Sequence, residues 1–380
     1  MNLRIEKHQL HFIKPAKTSR GEYTEKTAHL LVFETPFAQF FGEVSPLPDL
    51  SVDGNVDFEL LVKQGISKVN KEELDLQDLL NLQEDWSLYP ALRFGLNCII
   101  SDLQSIDLRS GELAVKFHST SKNAILPYSN SNSIPNGMVD FAANDFLSRK
   151  SGIPINGLVW MNDIDSMEEE AYQKIQAGFK IIKFKVGALD FDSECRLLER
   201  IRKRHSAFQL EIRLDANGAF STHTALEQIR DLSRFEIHSI EQPIKANQWD
   251  DMQKICALSP IDIALDEELI GYSNHNGQEL HRDAQKLLQY LKPKYIILKP
   301  TFIGGLDRCD VWVEESWKNG IGWWSTSALE GNIGLFAIAK WASKYMNDSN
   351  FMVQGLGTGS LFVKNFPSNT EVKNGHLYVL

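Results

Sequence analysis

From Pro154 onward the chain alternates short β-rich runs with amphipathic stretches, and this rhythm limits the fold more than any other feature. The β-rich runs are 155–160, 180–186, 210–215, 236–241, 261–266, 295–299, 320–325 and 351–354. Helical periodicity fills the gaps, as at 166–178, 193–205, 222–235, 307–319 and 334–346. Eight strands separated by helices predict an α/β chain closed into a modified eight-fold barrel, (β/α)7β. An open doubly wound sheet is the competing arrangement, but no glycine-rich dinucleotide turn follows an early strand.

The first hundred residues follow a different pattern. Segments 4–12, 24–34 and 38–44 alternate polar and apolar side chains, as half-buried antiparallel strands do, with loops at 18–21 and 45–48. Helical patterns follow at 57–69 and 90–106, so residues 1–118 read as a small α+β domain. The stretch 119–134 is dense in Ser and Asn and reads as a linker or long loop, followed by a helix at 136–151. The barrel domain then spans 119–359. The alternating run 376–380 suggests that the tail, 360–380, returns to the N-terminal domain.

Ionisable residues end the barrel strands. Lys183 and Lys185 close the second, Asp215 the third, Glu241 the fourth, Asp266 the fifth and Lys299 the sixth. From Lys185 the successive gaps are 30, 26, 25 and 33 residues, about one βα unit each. The C-terminal ends of barrel strands form the active-site face. Lys183 and Lys185 share one face of their strand and Arg213 and Asp215 one face of theirs, while Ile182, Phe184, Ile212 and Leu214 occupy the other. The outer face must meet apolar helices, so the charged set points inward. Burying so many ionised groups is costly unless they pair or bind metal. Three carboxylates on neighbouring strands make an all-oxygen site for a hard cation such as Mg²⁺. A lysine on either side of a metal-held carboxylate is the arrangement needed to remove a proton α to it. Arg213 is open to a supporting role beside the acids or a catalytic one.

Composition removes other classes. The 40 basic and 50 acidic residues leave a formal charge of −10, with no electrostatic footprint for nucleic acid or anionic lipid. Cys98, Cys195, Cys256 and Cys309 lie 97, 61 and 53 residues apart, too far for metal-ligand or redox-motif spacing. The N-terminus has no signal-peptide pattern, and the longest uncharged stretch, 123–139, is too polar to span a bilayer. A cytoplasmic protein acting on a small molecule is expected, with no nucleic-acid or membrane partner.

The ordered set Lys183-Phe-Lys185, Arg213-Leu-Asp215-Ala-Asn217, Ile240-Glu241-Gln-Pro243, Leu265-Asp266-Glu267 and Leu298-Lys299-Pro300 resembles the enolase superfamily, in its muconate-lactonising-enzyme subgroup. Within it, the segments Lys299–Gly305, Ser325–Gly334 and Gly355–Gly359 look most like the o-succinylbenzoate synthase family of menaquinone biosynthesis. That resemblance implies a carbon–oxygen lyase that dehydrates 2-succinyl-6-hydroxy-2,4-cyclohexadiene-1-carboxylate. It implies Mg²⁺, with Mn²⁺ able to substitute, on Asp215, Glu241 and Asp266. It also implies Lys185 as base and then acid, Lys299 as a fixed cation, and Lys183 holding the substrate carboxylate. Gly305, Ser325 and Ser327 are the implied substrate contacts, and the N-terminal domain is the implied cap, closing the site with loops 18–21 and 45–48. Glu268 stands where many relatives have Ser and is not counted as a ligand. The competing reading is an N-acylamino acid racemase or dipeptide epimerase of the same subgroup. The eighth strand, Phe351-Met-Val-Gln-Gly-Leu-Gly, lacks the Asp-x-Asp with which dipeptide epimerases hold an ammonium.

Overall fold

Strands β1 (Asn2–Thr18), β2 (Gly21–Glu34) and β3 (Gln39–Val44) pair antiparallel in that order. In the computed structural model the described residues are 1–380 except 19–20, 37, 70, 72, 106–144, 273–274 and 276. The run Ala28–Phe33 is apolar apart from His29 because both faces of this sheet are covered. Leu31, Phe33 and Phe40 pack with helices α1 (Phe58–Val69), α2 (Leu76–Asp85) and α3 (Pro90–Ser105). Leu30, Val32 and Phe41 face the other way, onto Phe302, Ala328, Leu329 and Ile333 of the barrel. Helix α2 escaped the sequence reading, although Asp75 and Asp78 form a reciprocal capping box at its start. Gly42 of β3 lies so close to α3 that a Cβ there would overlap the Gly95 carbonyl.

The short strand β4 (Ile153–Pro154) leads into seven parallel strands in ring order: β5 (Gly157–Val159), β6 (Ile181–Lys185), β7 (Glu211–Asp215), β8 (Ser239–Glu241), β9 (Asp262–Leu265), β10 (Tyr295–Leu298) and β11 (Gly322–Ser325). Helices α4 (Ile164–Gln176), α5 (Phe191–Arg204), α6 (Ala225–Ser233), α7 (Trp249–Leu258) and α8 (Gly277–Leu291) connect them as far as β10. The short α9 (Pro300–Ile303) and then α10 (Leu306–Lys318) join β10 to β11, and α11 (Asn332–Ala342) follows β11. The eighth staves are reduced to parallel bridges: Gln354 meets Ile155 and Gly355 meets Thr326, which closes the ring. Ile182, Phe184, Ile212 and Leu214 face outward into one core with Leu198, Ile201 and Ile229 of the helices, as their alternation predicts.

Two expectations change. Residues 376–380 were expected to rejoin the N-terminal sheet, but β13 (His376–Val379) pairs with β12 (Thr370–Lys373) and with β4. A four-residue alternation fixes which faces are buried, not which edge is free to accept it. Contact with the N-terminal sheet comes earlier in the tail. The Ile13 N–H donates to Leu361 O at 2.8 Å and the Val363 N–H to His11 O at 2.8 Å. Of the helix expected at 136–151, residues 145–149 form a turn and 136–144 lie outside the described residues, as do the 119–134 linker and the 118/119 domain boundary.

Candidate active site

Strand register brings the charged residues to one level. Lys183 stands beside Arg213, Lys185 beside Asp215, and Asp215 beside Glu241; Asp266 and Lys299 each follow the last residue of their strands. All seven charged side chains point into the barrel and are buried. The Lys183 ammonium donates to Asp215 Oδ2 at 3.0 Å and to Glu241 Oε2 at 3.0 Å. Lys185 donates to Asp215 Oδ2 at 2.6 Å and to Asn217 Oδ1 at 2.8 Å. Lys299 donates to Asp266 Oδ2. Asn217, in the left-handed region at φ 46°, also donates Nδ2 to Glu267 Oε1 at 3.1 Å and its backbone N–H to Asp215 Oδ1 at 3.1 Å.

Burial works against every charge here, and neighbours decide the outcome. Burial lowers the Lys185 pKa; Asp215 resists, while Lys183 and Lys299 push the same way as burial, and the net shift is down. Lys183 and Lys299 face the same penalty, but Asp215 and Glu241 hold Lys183 up, and Asp266 and Glu241 hold Lys299 up. The Asp215 carboxyl ends well below the carboxylate range because three lysines outweigh its burial. Glu241 is pushed up to about 8, by burial first and then by Asp215.

Arg213 belongs to the barrel floor instead of the acidic cluster. Its Nε donates to Glu211 at 2.8 Å, Nη1 donates to Val353 O at 3.0 Å, and its guanidinium lies 4.2 Å from the Trp324 ring centroid. Trp324 fills the barrel with Ala264 and Ile297, whereas Trp323 faces outward to Trp341 and Tyr345. Glu268 also turns away, accepting the Asn247 N–H at 3.1 Å.

Lys183, Lys185 and Lys299 line a cleft together with Thr18, Tyr23, Leu47 and Leu50 from the N-terminal domain. That domain therefore sits over the C-terminal ends of the strands. Ser327 lines the cleft, and its hydroxyl donates to Glu330 Oε2 at 2.6 Å. Ser325 and Gly305 are not on the cleft wall. Ser325 is fully buried, with its hydroxyl donating to Gln354 Oε1 at 3.0 Å. Gly305, at φ 141°, lies against Arg93 and Asn97 of α3. A glycine-rich turn after a barrel strand serves domain packing as readily as ligand approach.

The sequence reading missed a buried charged network joining the two domains. Lys26 of β2 donates to Ala328 O at 2.7 Å and Leu329 O at 3.1 Å, and burial brings its pKa down to about 8. Glu43 of β3 accepts the N–H groups of Gly331 and Gly334 at the start of α11, at 2.6 and 2.8 Å. Glu330 takes Thr301 and Ser327 hydroxyls together with the Ala328 N–H. Nothing in the sequence distinguishes these residues from exposed charges, except that Glu43 falls within the short, mostly apolar β3.

Among the described residues no three His, Cys, Asp or Glu side chains are gathered as a metal cluster, because Asp215 and Glu241 turn to Lys183 and Asp266 to Lys299. The donor set nevertheless fits a divalent cation. It consists of oxygens only, on three adjacent strands, and is almost wholly buried. Burial, then Asp215 and Asp266, push the Glu241 pKa up in spite of Lys183, so the added positive charge of a cation would favour its ionised form.

A parallel barrel whose mouth holds lysines and carboxylates under an antiparallel cap has the layout of an enzyme. Residues 166–380 match the family described as Enolase C-terminal domain-like. The chain is 38% identical to the o-succinylbenzoate synthase of Desulfotalea psychrophila, over 100% of this chain and 99% of that one. The crystal structure of MenC from the same organism superposes with a TM-score of 0.72 at 33% identity, covering 100% of this chain and 99% of that one. A dipeptide epimerase from Cytophaga hutchinsonii, complexed with Mg and D-Ala-L-Val, has a TM-score of 0.74 at 18% identity, covering 99% and 92%, a likeness of fold. The chain belongs to the enolase superfamily, in its muconate-lactonising-enzyme subgroup, and is an enzyme.

Proposed function

We propose that this enzyme is a carbon–oxygen lyase that dehydrates 2-succinyl-6-hydroxy-2,4-cyclohexadiene-1-carboxylate to o-succinylbenzoate, as the name of its full-length relative suggests. The observation that carries the reading is the opposition of two unlike lysines. Lys185 on β6 and Lys299 after β10 stand four strands apart in an eight-position ring, so they reach one cleft from opposite sides. Lys185 is the more readily deprotonated of the two and Lys299 the more firmly charged.

Asp215, Glu241 and Asp266 would hold the divalent cation, Mg²⁺ in this reading. Bound there, it supplies positive charge to carboxylate oxygens. Lys185 as free amine takes the proton from C1 of the ring. The electron pair left behind spreads into the substrate carboxylate, where the Lys183 and Lys299 ammonium groups offset the added negative charge. The resulting Lys185 ammonium then returns that proton to the C6 hydroxyl as its bond to carbon breaks on the same face. Water leaves, the ring becomes aromatic, and Lys185 is again a free amine. Asn217 orients Lys185 by accepting from it. Residues 1–118 act as the cap, through Thr18, Tyr23, Leu47 and Leu50, and Ser327 contacts substrate. The unpaired state of all four cysteines supports a reducing, cytoplasmic setting.

The test is to supply the cyclohexadiene acid with Mg²⁺ and then with excess chelator. Aromatic product that appears with metal, ceases on chelation and returns with fresh Mg²⁺ supports the reading. Unchanged turnover in chelator removes the metal, and α-proton exchange of an N-acylamino acid without any dehydration replaces the lyase by a racemase.

A further inference from the structure

Three buried side-chain oxygens, on residues that line one wall of the cleft, have no partner among the described residues. They are Asn156 Oδ1, Thr326 Oγ1 and Thr358 Oγ1, on residues at most 5% exposed. Buried polar groups are nearly always satisfied, so an orphan in a native fold calls for an explanation. Three on residues that share one cavity are better explained by a missing common partner than by three separate faults.

Their positions are adjacent across the seam of the ring. Asn156 directly precedes β5, and its backbone N–H donates to Gln354 O at 2.9 Å. Thr326 directly follows β11 and bridges to Gly355. Thr358 lies three residues beyond that bridge. The acids of β7, β8 and β9 lie on the other arc, so this wall is separate from the three carboxylates.

The chemistry of the wall restricts what it can receive. Two hydroxyls can donate. Asn156 Nδ2 is already committed to Gly157 O at 3.1 Å, which leaves Oδ1 as an acceptor. No Asp or Glu is among the described residues lining the cleft, so a cationic arm would find no counter-charge there. A carbonyl oxygen can accept from the threonines, and Asn156 Oδ1 can take a proton from a ligand hydroxyl or a water that the ligand orders.

We propose that Asn156, Thr326 and Thr358 form a neutral polar subsite for a carbonyl-bearing, uncharged or anionic arm of a carboxylate substrate. This rests on the proposed reaction, whose substrate carries a keto group in its succinyl arm, and it assigns that arm to the β5–β11 seam. The threonine oxygens are held without partners until the arm arrives, so ligand affinity and the stability of the ligand-free protein respond to their removal in opposite directions.

The experiment titrates the full chain in Mg²⁺ with o-succinylbenzoate and with benzoate, which has the ring carboxylate but no arm. In Thr358→Val and Thr326→Val the affinity for o-succinylbenzoate falls roughly tenfold, the usual weight of one hydrogen bond, while benzoate binding stays the same. The ligand-free valine variants melt no lower than the parent, and Thr358→Ser retains arm binding. Equal weakening for both ligands, a lower melting temperature of the free variants, or a parent that does not prefer o-succinylbenzoate overturns the subsite. If the parent prefers o-succinylbenzoate and the variants lose that preference, but the cyclohexadiene acid is never dehydrated, the subsite stands and the lyase reading falls.

Discussion

At the scale of single residues, the site sets chemically identical side chains to different tasks by their neighbours. If Lys185 handles both the proton and the departing hydroxyl, Lys185→Ala removes activity almost completely, by roughly 10²–10⁴-fold or more, since one group serves two steps. Lys299→Arg keeps the cation and is expected to retain measurable dehydration, whereas a racemase would stop because arginine stays protonated. Product formation together with α-proton exchange in D₂O separates the two. A different residue gives a pH test of the fold. Glu194 is buried and accepts the Gly187 N–H at 2.6 Å in the loop that follows Lys185. Burial pushes its pKa up to about 7 from 4.5, so its protonated form favours the native state. That contribution is complete below pH 4.5 and is lost as pH rises through about 7. Glu194→Gln keeps an acceptor without the charge. Its stability relative to the parent is expected to grow by about 1–3 kcal/mol between pH 4.5 and 8, read from denaturant midpoints at each pH.

At the scale of elements, what was legible in the sequence followed from periodicity. Strand-tip residues Lys185, Asp215 and Glu241 end their strands as expected, because inward charge and outward apolar residues on one strand leave a single possible register. The eighth strand was legible as a position but not as a form: two bridges do what a full strand does elsewhere. Contacts between distant elements were not legible. Lys26 and Glu43 look like surface charges in sequence, and only the docking of β2 and β3 on residues 328–334 gives them their buried partners. Gly305 and Ser325 resembled ligand contacts for the converse reason, since a motif carries no record of which side of a turn the neighbouring domain covers. The cap of α11 offers a test. Glu43→Ala leaves two buried N–H groups, of Gly331 and Gly334, without an acceptor. A loss of about 2–4 kcal/mol is expected in equilibrium unfolding, while a change in an exposed acid such as Glu73 stays within about 0.5 kcal/mol.

At the scale of the whole molecule, cap and barrel are joined by polar contacts as well as apolar ones. Arg93 of α3 meets Asp307 of α10 through two contacts of 2.8 Å and donates to Gly304 O at 2.5 Å, just beyond the short helix after Lys299. Arg93 is 4% exposed and Asp307 45%, so solvent screens part of this pairing. Arg93→Ala is expected to cost about 1–3 kcal/mol, seen as a lower melting temperature, and to raise KM more than it lowers kcat. An unchanged KM with a lower melting temperature would confine Arg93 to stability.

The seam between β5 and β11 has a further consequence, for the order in which the protein can be made. Residues 354 and 355 close a ring whose other lip is at residue 155, and residues 361–363 fasten to a strand begun at residue 2. Such pairings, about 200 and 350 residues apart in the chain, slow folding because long loops must close before contacts reward them. On the ribosome, the N-terminal sheet waits for partners, from Phe302 to Phe366, that emerge long after it. Until then its barrel-side face, with Leu30, Val32 and Phe41, has no barrel to cover it. Chain truncated before Gln354 should accumulate as open, aggregation-prone material, since the ring has nothing else with which to shut.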